Sequence, residues 1–309
     1  MDVGNSLTCK SLKPLLLILP WFGLNRFRGS NGGVIQGVVI VIHITCYTIF
    51  GVNVSWCLVG AEKTMDHKNI AIYIAILLAT AMRLIVTLYG MIFVPSKLHM
   101  IITACDQLRS NPWFYLSYKK LRRFTKVMVI ICVIACIVLT FSMIFTSSII
   151  TNDYICVTAS ARRGSLFYWT TTVNAFPAAA LVFGHKFILL LTINVMCKIV
   201  TMEFNACNTE FRKIADSDVT FEKIQMIRKR YFAITKLAEQ VDEFLNPYVV
   251  LKIGVSFTGV CLYIHALAYG HSSLGILLLW CGWLILAISE MLMIFKSGIA
   301  LNESVSTYA

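Results

Sequence analysis

The sequence predicts an all-α polytopic membrane protein with six transmembrane helices and a cytoplasmic amino terminus. Two observations carry that expectation. Six apolar stretches, at residues 34–59, 70–94, 127–150, 166–200, 249–269 and 273–295, are each long enough to cross a bilayer, which takes about 20 apolar residues. Basic residues crowd into every second gap between them. Lys and Arg number four before the first stretch, seven after the second, eight from Lys198 at the end of the fourth and one in the tail, against two, two and none in the intervening gaps. The positive-inside rule places the richer set in the cytoplasm. Six crossings then return the carboxyl end to the same side.

Composition narrows the function classes. A mean hydropathy of +0.76 argues against a water-soluble fold. The net charge of +12 follows from topology better than from nucleic acid, because the surplus lies in gaps that face anionic lipid. Most of the eleven cysteines fall inside the spans or on the cytoplasmic side, where they stay reduced and act as small apolar residues. Only Cys57 and Cys156 fall near the outer face, and spacing does not decide whether they form a disulfide.

One membrane domain is expected. Residues 1–33 form an amino-terminal segment, 34–295 the transmembrane domain and 296–309 a cytoplasmic tail. The run from Pro14 to Pro20 is short, flanked by prolines and followed by no small-x-small site, so it reads as an interfacial segment rather than a signal peptide. Trp21 is expected at the headgroup level. The outer gaps are short, so an external ligand must be caught by the spans or by these short loops.

The gap at 198–245 differs from the other cytoplasmic gaps. It carries eight basic and eight acidic residues. Its apolar residues Ile224, Ile227, Tyr231, Ile234, Ala238, Val241 and Leu245 step by three and four, which is a heptad seam. Phe204, Cys207, Phe211 and Ile214 do the same before the turn at residues 216–218. Two readings stand: an antiparallel hairpin packed on itself, or a projecting anchor with Ile227, Tyr231, Ile234, Val241 and Leu245 at a subunit interface.

Four charged residues fall within the spans: Arg83, Lys186, Lys252 and Glu290. At about 1.5 Å per residue all four lie in the inner half. Lys186 and Lys252 are expected to snorkel to the cytoplasmic headgroups. Arg83 is deeper, and Glu290, the only carboxylate inside a span, is its expected counter-ion. The outer half carries aromatic and neutral polar groups instead. Tyr73, Trp169, Asn174, Phe176, Tyr263, His265 and Trp280 are the ligand-binding candidates, and Tyr168 and Trp283 belong to the same set. An aromatic-lined pocket suits a small, weakly polar molecule; a belt of interfacial aromatics is the simpler reading. There is no HExxH, Walker loop, paired intramembrane Asp or nucleophile elbow, so no enzyme, cofactor or metal site is expected.

Three features together resemble the arthropod gustatory receptor family, within the superfamily of insect gustatory and odorant receptors. Leu12-Lys-Pro-Leu-Leu-Leu-Ile-Leu-Pro-Trp-Phe-Gly23 is similar to the segment before the first span in that family. The long fourth span enters a mixed-charge hairpin. Tyr231-Phe-Ala-Ile-Thr-Lys-Leu-Ala-Glu-Gln-Val-Asp-Glu-Phe-Leu-Asn-Pro-Tyr-Val-Val-Leu251 is similar to the stretch entering the fifth span. The resemblance implies a multi-pass receptor of the cell membrane that is a ligand-gated, non-selective cation channel for small tastants. It implies a homo- or hetero-tetramer held by a cytoplasmic anchor, with membrane lipid rather than nucleic acid around it. In that family a seventh helix opens with Thr-Tyr and lines the pore. Here the chain stops at Ser306-Thr307-Tyr308-Ala309, so the last helix is expected to be lacking. A six-span transporter or a structural membrane protein without channel activity is the alternative.

Overall fold

A computed structural model of the chain describes residues 7–22, 24, 32–61, 67–109, 118–150, 166–215, 220–269 and 274–306. These residues form a bundle of α-helices. A short helix, α1 (Leu7–Ile18), is followed by a 3-10 turn (Leu19–Phe22). Six long helices follow: α2 (Gly32–Ala61), α3 (His67–Arg109), α4 (Tyr118–Ile150), α5 (Leu166–Ala215), α6 (Phe221–Tyr269) and α7 (Leu274–Ser306). Among the described residues, α3 to α7 are each long and apolar enough to cross a membrane, and α2 contributes a shorter apolar run, Gly33–Thr48. The chain is thus a multi-pass membrane protein.

The centre of the bundle is α5. Nearly every side chain from Phe183 to Val200 is buried, because α5 is packed by α4, α6 and α7 and also touched by α2 and α3. Small residues let neighbours come close: a Cβ on Gly90 of α3 would sit 3.0 Å from Cδ1 of Leu189 in α5. The outer helices have the opposite pattern. Val34, Val41, Ile130, Ile134, Leu278 and Ile285 are large, apolar and exposed. On a protein of this class, such faces belong against hydrocarbon.

The helices α5 and α6 have 50 and 49 residues. Each is about 75 Å long, against a hydrocarbon thickness of about 30 Å, so both extend far beyond a single crossing. The first backbone bonds of α6 run from the N–H groups of Lys223 and Ile224 to the carbonyl of Thr220. Glu222 in its first turn, and Arg212 and Lys213 in the last turn of α5, suit the dipoles of the two helix ends. Pro247 lies inside α6 rather than near its start. It withdraws one N–H from the ladder without ending the helix.

The projecting part of this pair corrects the interface assignment. Ile227, Ile234, Val241 and Leu245 are buried, and Tyr231 is half-buried with its ring edge-on to Phe204 at 5.7 Å. The heptad seam is real, but its side chains are buried within the chain's own bundle, where α6 packs against α3, α5 and α7. Arg230 closes the same contact, pairing with Glu210 and lying 3.8 Å from the fully buried Glu203. The outward residues are others: Phe221 and Phe232 are 75 % and 72 % exposed. They lie three turns apart on one face.

The amino-terminal segment is packed on the bundle along one side, with Leu17 exposed on the other. Leu12, Leu15, Leu19 and Leu24 are wholly buried, because α1 packs on α3 and α4. Thr8 donates to Asp106 at 2.7 Å. Trp21 stays exposed. Phe22 presses on Gly184 of α5, where an added Cβ would come within 2.6 Å of the Phe22 Cζ. Gly184→Val is therefore expected to push this segment off the bundle, at a cost of about 1–3 kcal/mol. Faster proteolysis at residues 7–24 would register the change, and unchanged protection would contradict it.

Candidate functional site

The site is built where α5, α6 and α7 meet. Heptad spacing carries the inward face of α6 from Leu245 through Tyr248 to Lys252, Val255 and Gly259. The inward face of α7 runs through Trp283, Ala287, Glu290 and Ile294, all buried. Lys186 lies between the buried Phe183 and Leu190 on α5. The three charged side chains therefore converge. Lys186 Nζ is 2.6 Å from Oε1 of Glu290, and Lys252 Nζ is 3.1 Å from Oε2. One carboxylate, 1 % exposed, ties three helices together.

This arrangement replaces the snorkelling expected of both lysines. Burying an ammonium is costly unless a counter-charge meets it, and Glu290 meets two. Both Glu290 oxygens face lysines, and the Arg83 side chain, the other half of the expected Arg83–Glu290 pair, lies outside the described residues.

A cleft opens above this charged floor. Lys186, Lys252, Glu290, His185, Tyr47, Tyr248, Thr87 and Ser256 supply polar groups to its lining. Tyr47 and Thr87 share a hydrogen bond of 3.1 Å between α2 and α3. Phe183, Val86, Val255, Gly259, Ala287 and Tyr263 complete the lining. The cavity holds about 40 Å³, room for about three waters. Behind the wall, His43 stands edge to face with the lining residue His185, ring centroids 5.8 Å apart. His43 Nδ1 donates to the Val39 carbonyl at 2.9 Å. Nε2 of each ring is buried with no hydrogen-bond partner among the described residues.

No family model matches the sequence, and no curated protein matches it either. Among solved structures, the insect olfactory receptor OR5 from Machilis hrabei superposes with a TM-score of 0.61 at 11 % identity, covering 94 % of this chain and 81 % of that one. The chain has the fold of an insect olfactory receptor. That likeness is one of architecture, since so few residues are shared.

Within this receptor fold, the sequence candidates separate. Tyr263 lines the cleft, and Trp283 stacks behind it, 6.3 Å from Tyr263 and 5.1 Å from Phe183 between ring centroids. His265 does not line it. Two residues from Tyr263 on a helix, it points elsewhere and rests on Tyr269 at 4.9 Å. The side chains of Tyr73, Trp169, Asn174, Phe176 and Trp280, and those of Cys57 and Cys156, lie outside the described residues. Sequence reasoning missed His185, Tyr47, Tyr248 and the role of the two lysines. A signal for Lys252 was present, because it continues the heptad step beyond Leu245. The four described cysteines of α4 and α5 are free thiols, and two donate to backbone carbonyls across that contact: Cys132 to Phe187 at 3.7 Å and Cys136 to Ala180 at 3.5 Å.

Proposed function

We propose that the chain is a chemosensory receptor of the insect gustatory and odorant superfamily, of the gustatory type, and a subunit of a ligand-gated, non-selective cation channel in the cell membrane. The observation that carries this reading is the olfactory-receptor fold over 94 % of the chain. The similarity at residues 12–23 and 231–251 favours the gustatory branch. A small tastant enters the cleft between α2, α3, α5, α6 and α7, and its contacts bias the packing of α6 and α7 around the charged floor. Ligand-driven gating needs such differential contact with two packings. The amino terminus is cytoplasmic, by the distribution of Lys and Arg. The projecting ends of α5 and α6 then lie in the cytoplasm, where the exposed Phe221 and Phe232 face offers a surface to related subunits in a homo- or hetero-tetramer.

The test is electrical. Expressed alone and with a related receptor, the chain is expected to give a tastant-evoked inward current carried alike by sodium and potassium. Uptake of the tastant without any current would contradict the channel reading and favour a transporter.

A further inference from the structure

We propose that the face shared by α1 and the first turns of α4 binds a phosphoinositide, with its polyphosphate headgroup on the exposed cations and its acyl chains along the apolar surface that follows. The inference rests on the cytoplasmic amino terminus of the proposed topology, not on channel activity. Three observations carry it. The first is the order of residues along α4. Leu121 and Thr125 are wholly buried, while Lys119, Lys120, Arg122, Arg123 and Lys126 are all exposed. Arg123, Val127, Ile130 and Ile134 form one exposed row at steps of three and four. Its change from cation to hydrocarbon marks where lipid headgroups give way to acyl chains. The second is that α1 repeats this order. Its outward face runs through Lys10, Lys13, Leu17 and Trp21, all exposed. α1 packs on α4, and Leu12, Leu15 and Leu121 lie in one buried cluster. Phe22 is set against Gly184 of α5, and Cys132 bonds to Phe187 one turn further along. Lys13 precedes Phe22 by the same interval as Arg123 precedes Cys132, so the two sets of cations lie at a similar depth. The third is charge. α1 and α4 contain no Asp or Glu. Among the described residues, none of these cations has an ion-pair partner, and Asp106 of α3, which reaches α1, is engaged by Thr8. A headgroup with a single charge leaves most of the cluster unmet. A multiply charged one matches it, and the forked guanidinium groups of Arg122 and Arg123 suit phosphate oxygens.

The full chain in phosphatidylcholine nanodiscs tests the proposal. Phosphatidylinositol bisphosphate is titrated in, and lipid retained by the chain is counted by native mass spectrometry. Saturable binding is expected, and phosphatidylserine at matched total charge should not reproduce it. Lys119→Gln, Arg122→Gln and Arg123→Gln together should weaken binding at least about tenfold, since each cation near the surface adds to anionic-lipid affinity. These side chains are exposed, so the variant should fold, and unchanged hydrogen exchange over residues 203–234 without lipid checks that it does. Lys10→Gln with Lys13→Gln should weaken binding as well, which tests the share of α1 independently. Arg228→Gln, Lys229→Gln and Lys236→Gln remove as much charge from exposed positions on the projecting part of α6 and should leave binding unchanged. Equal retention of phosphatidylserine would overturn the proposal. So would an equal loss in the α4 and α6 variants, or full binding by the α1 variant. Free inositol trisphosphate binding as tightly as the lipid would make the face a site for a soluble polyphosphate and overturn the membrane assignment. The readout needs no current, and nanodiscs present the lipid in both leaflets. A conducting chain that does not retain the lipid ends this inference alone; a chain that retains it with residue 10 outside the cell contradicts the topology alone.

Discussion

Glu290→Gln is expected to destabilise the folded chain by about 3–5 kcal/mol, the range found when one partner of a buried ion pair is removed. The cause is the pair of ammonium groups left behind. Lys186 and Lys252 meet Glu290 at 2.6 and 3.1 Å, and glutamine offers them one neutral carbonyl. Lys252 is 5 % exposed, so water reaches it poorly. The consequence is expected at the α5–α6–α7 junction first, as a lower unfolding midpoint and less protein at the cell surface. Replacing all three residues by methionine removes the charges together and should recover most of the loss, since apolar substitutes for a buried ionic cluster are often neutral or better. Equal instability of the single and triple variants would show that the ion cluster is not what holds the junction.

Arg230→Met is expected to have an effect of similar size, about 3–5 kcal/mol, on the projecting helix pair. Glu203 is wholly buried, and Arg230 from α6 is the cation that faces it. Glu210, the second partner of Arg230, is 29 % exposed and has water to fall back on. The damage therefore comes mainly from Glu203. Hydrogen exchange over residues 203–234 should speed up in Arg230→Met, and the double variant Arg230→Met with Glu203→Met should restore much of the protection. Unchanged exchange in the single variant would mean that apolar packing of Phe204, Ile227 and Ile234 suffices by itself.

The fold was legible in the sequence because apolar length and charge segregation are one-dimensional signals. The stretches at 70–94, 127–150, 166–200 and 249–269 lie within α3 to α6, 34–59 lies within α2, and all but the first residue of 273–295 lies within α7. The direction in which a side chain points is not one-dimensional. Lys186 and Lys252 were read by depth alone, and depth makes a lysine a snorkeller. Their position around the helix axis decides otherwise. Lys252 follows Leu245 and Tyr248 at steps of three and four, on the buried face, and Glu290 follows Trp283 and Ala287 in the same way. The seam at Ile227–Leu245 was legible as periodicity. Periodicity does not say whether the matching groove belongs to another subunit or to the chain itself, and the burial of Ile227, Ile234, Val241 and Leu245 shows that the chain's own helices cover the seam. His265 and Tyr263 were alike by composition, but only Tyr263 falls on the inward face. His185 was not legible at all as a site residue, because its place depends on His43 and Lys252 arriving from other helices.

Under the proposed function, a ligand acts in the cleft beside Gly259. Gly259 lines that cleft, and a Cβ added there meets Tyr263 at 3.6 Å, an ordinary contact. Gly259→Ala should therefore fold and respond much as the unaltered chain does, and Gly259→Leu should fill the space. Each favours the helix over glycine by up to about 1 kcal/mol. The decisive measurement is the concentration dependence of the tastant-evoked current in these two variants, at matched surface expression. A near-normal curve is expected for Gly259→Ala and a loss of response, or a shift of at least about tenfold, for Gly259→Leu. Superimposable curves for Gly259→Leu and the unaltered chain would contradict it.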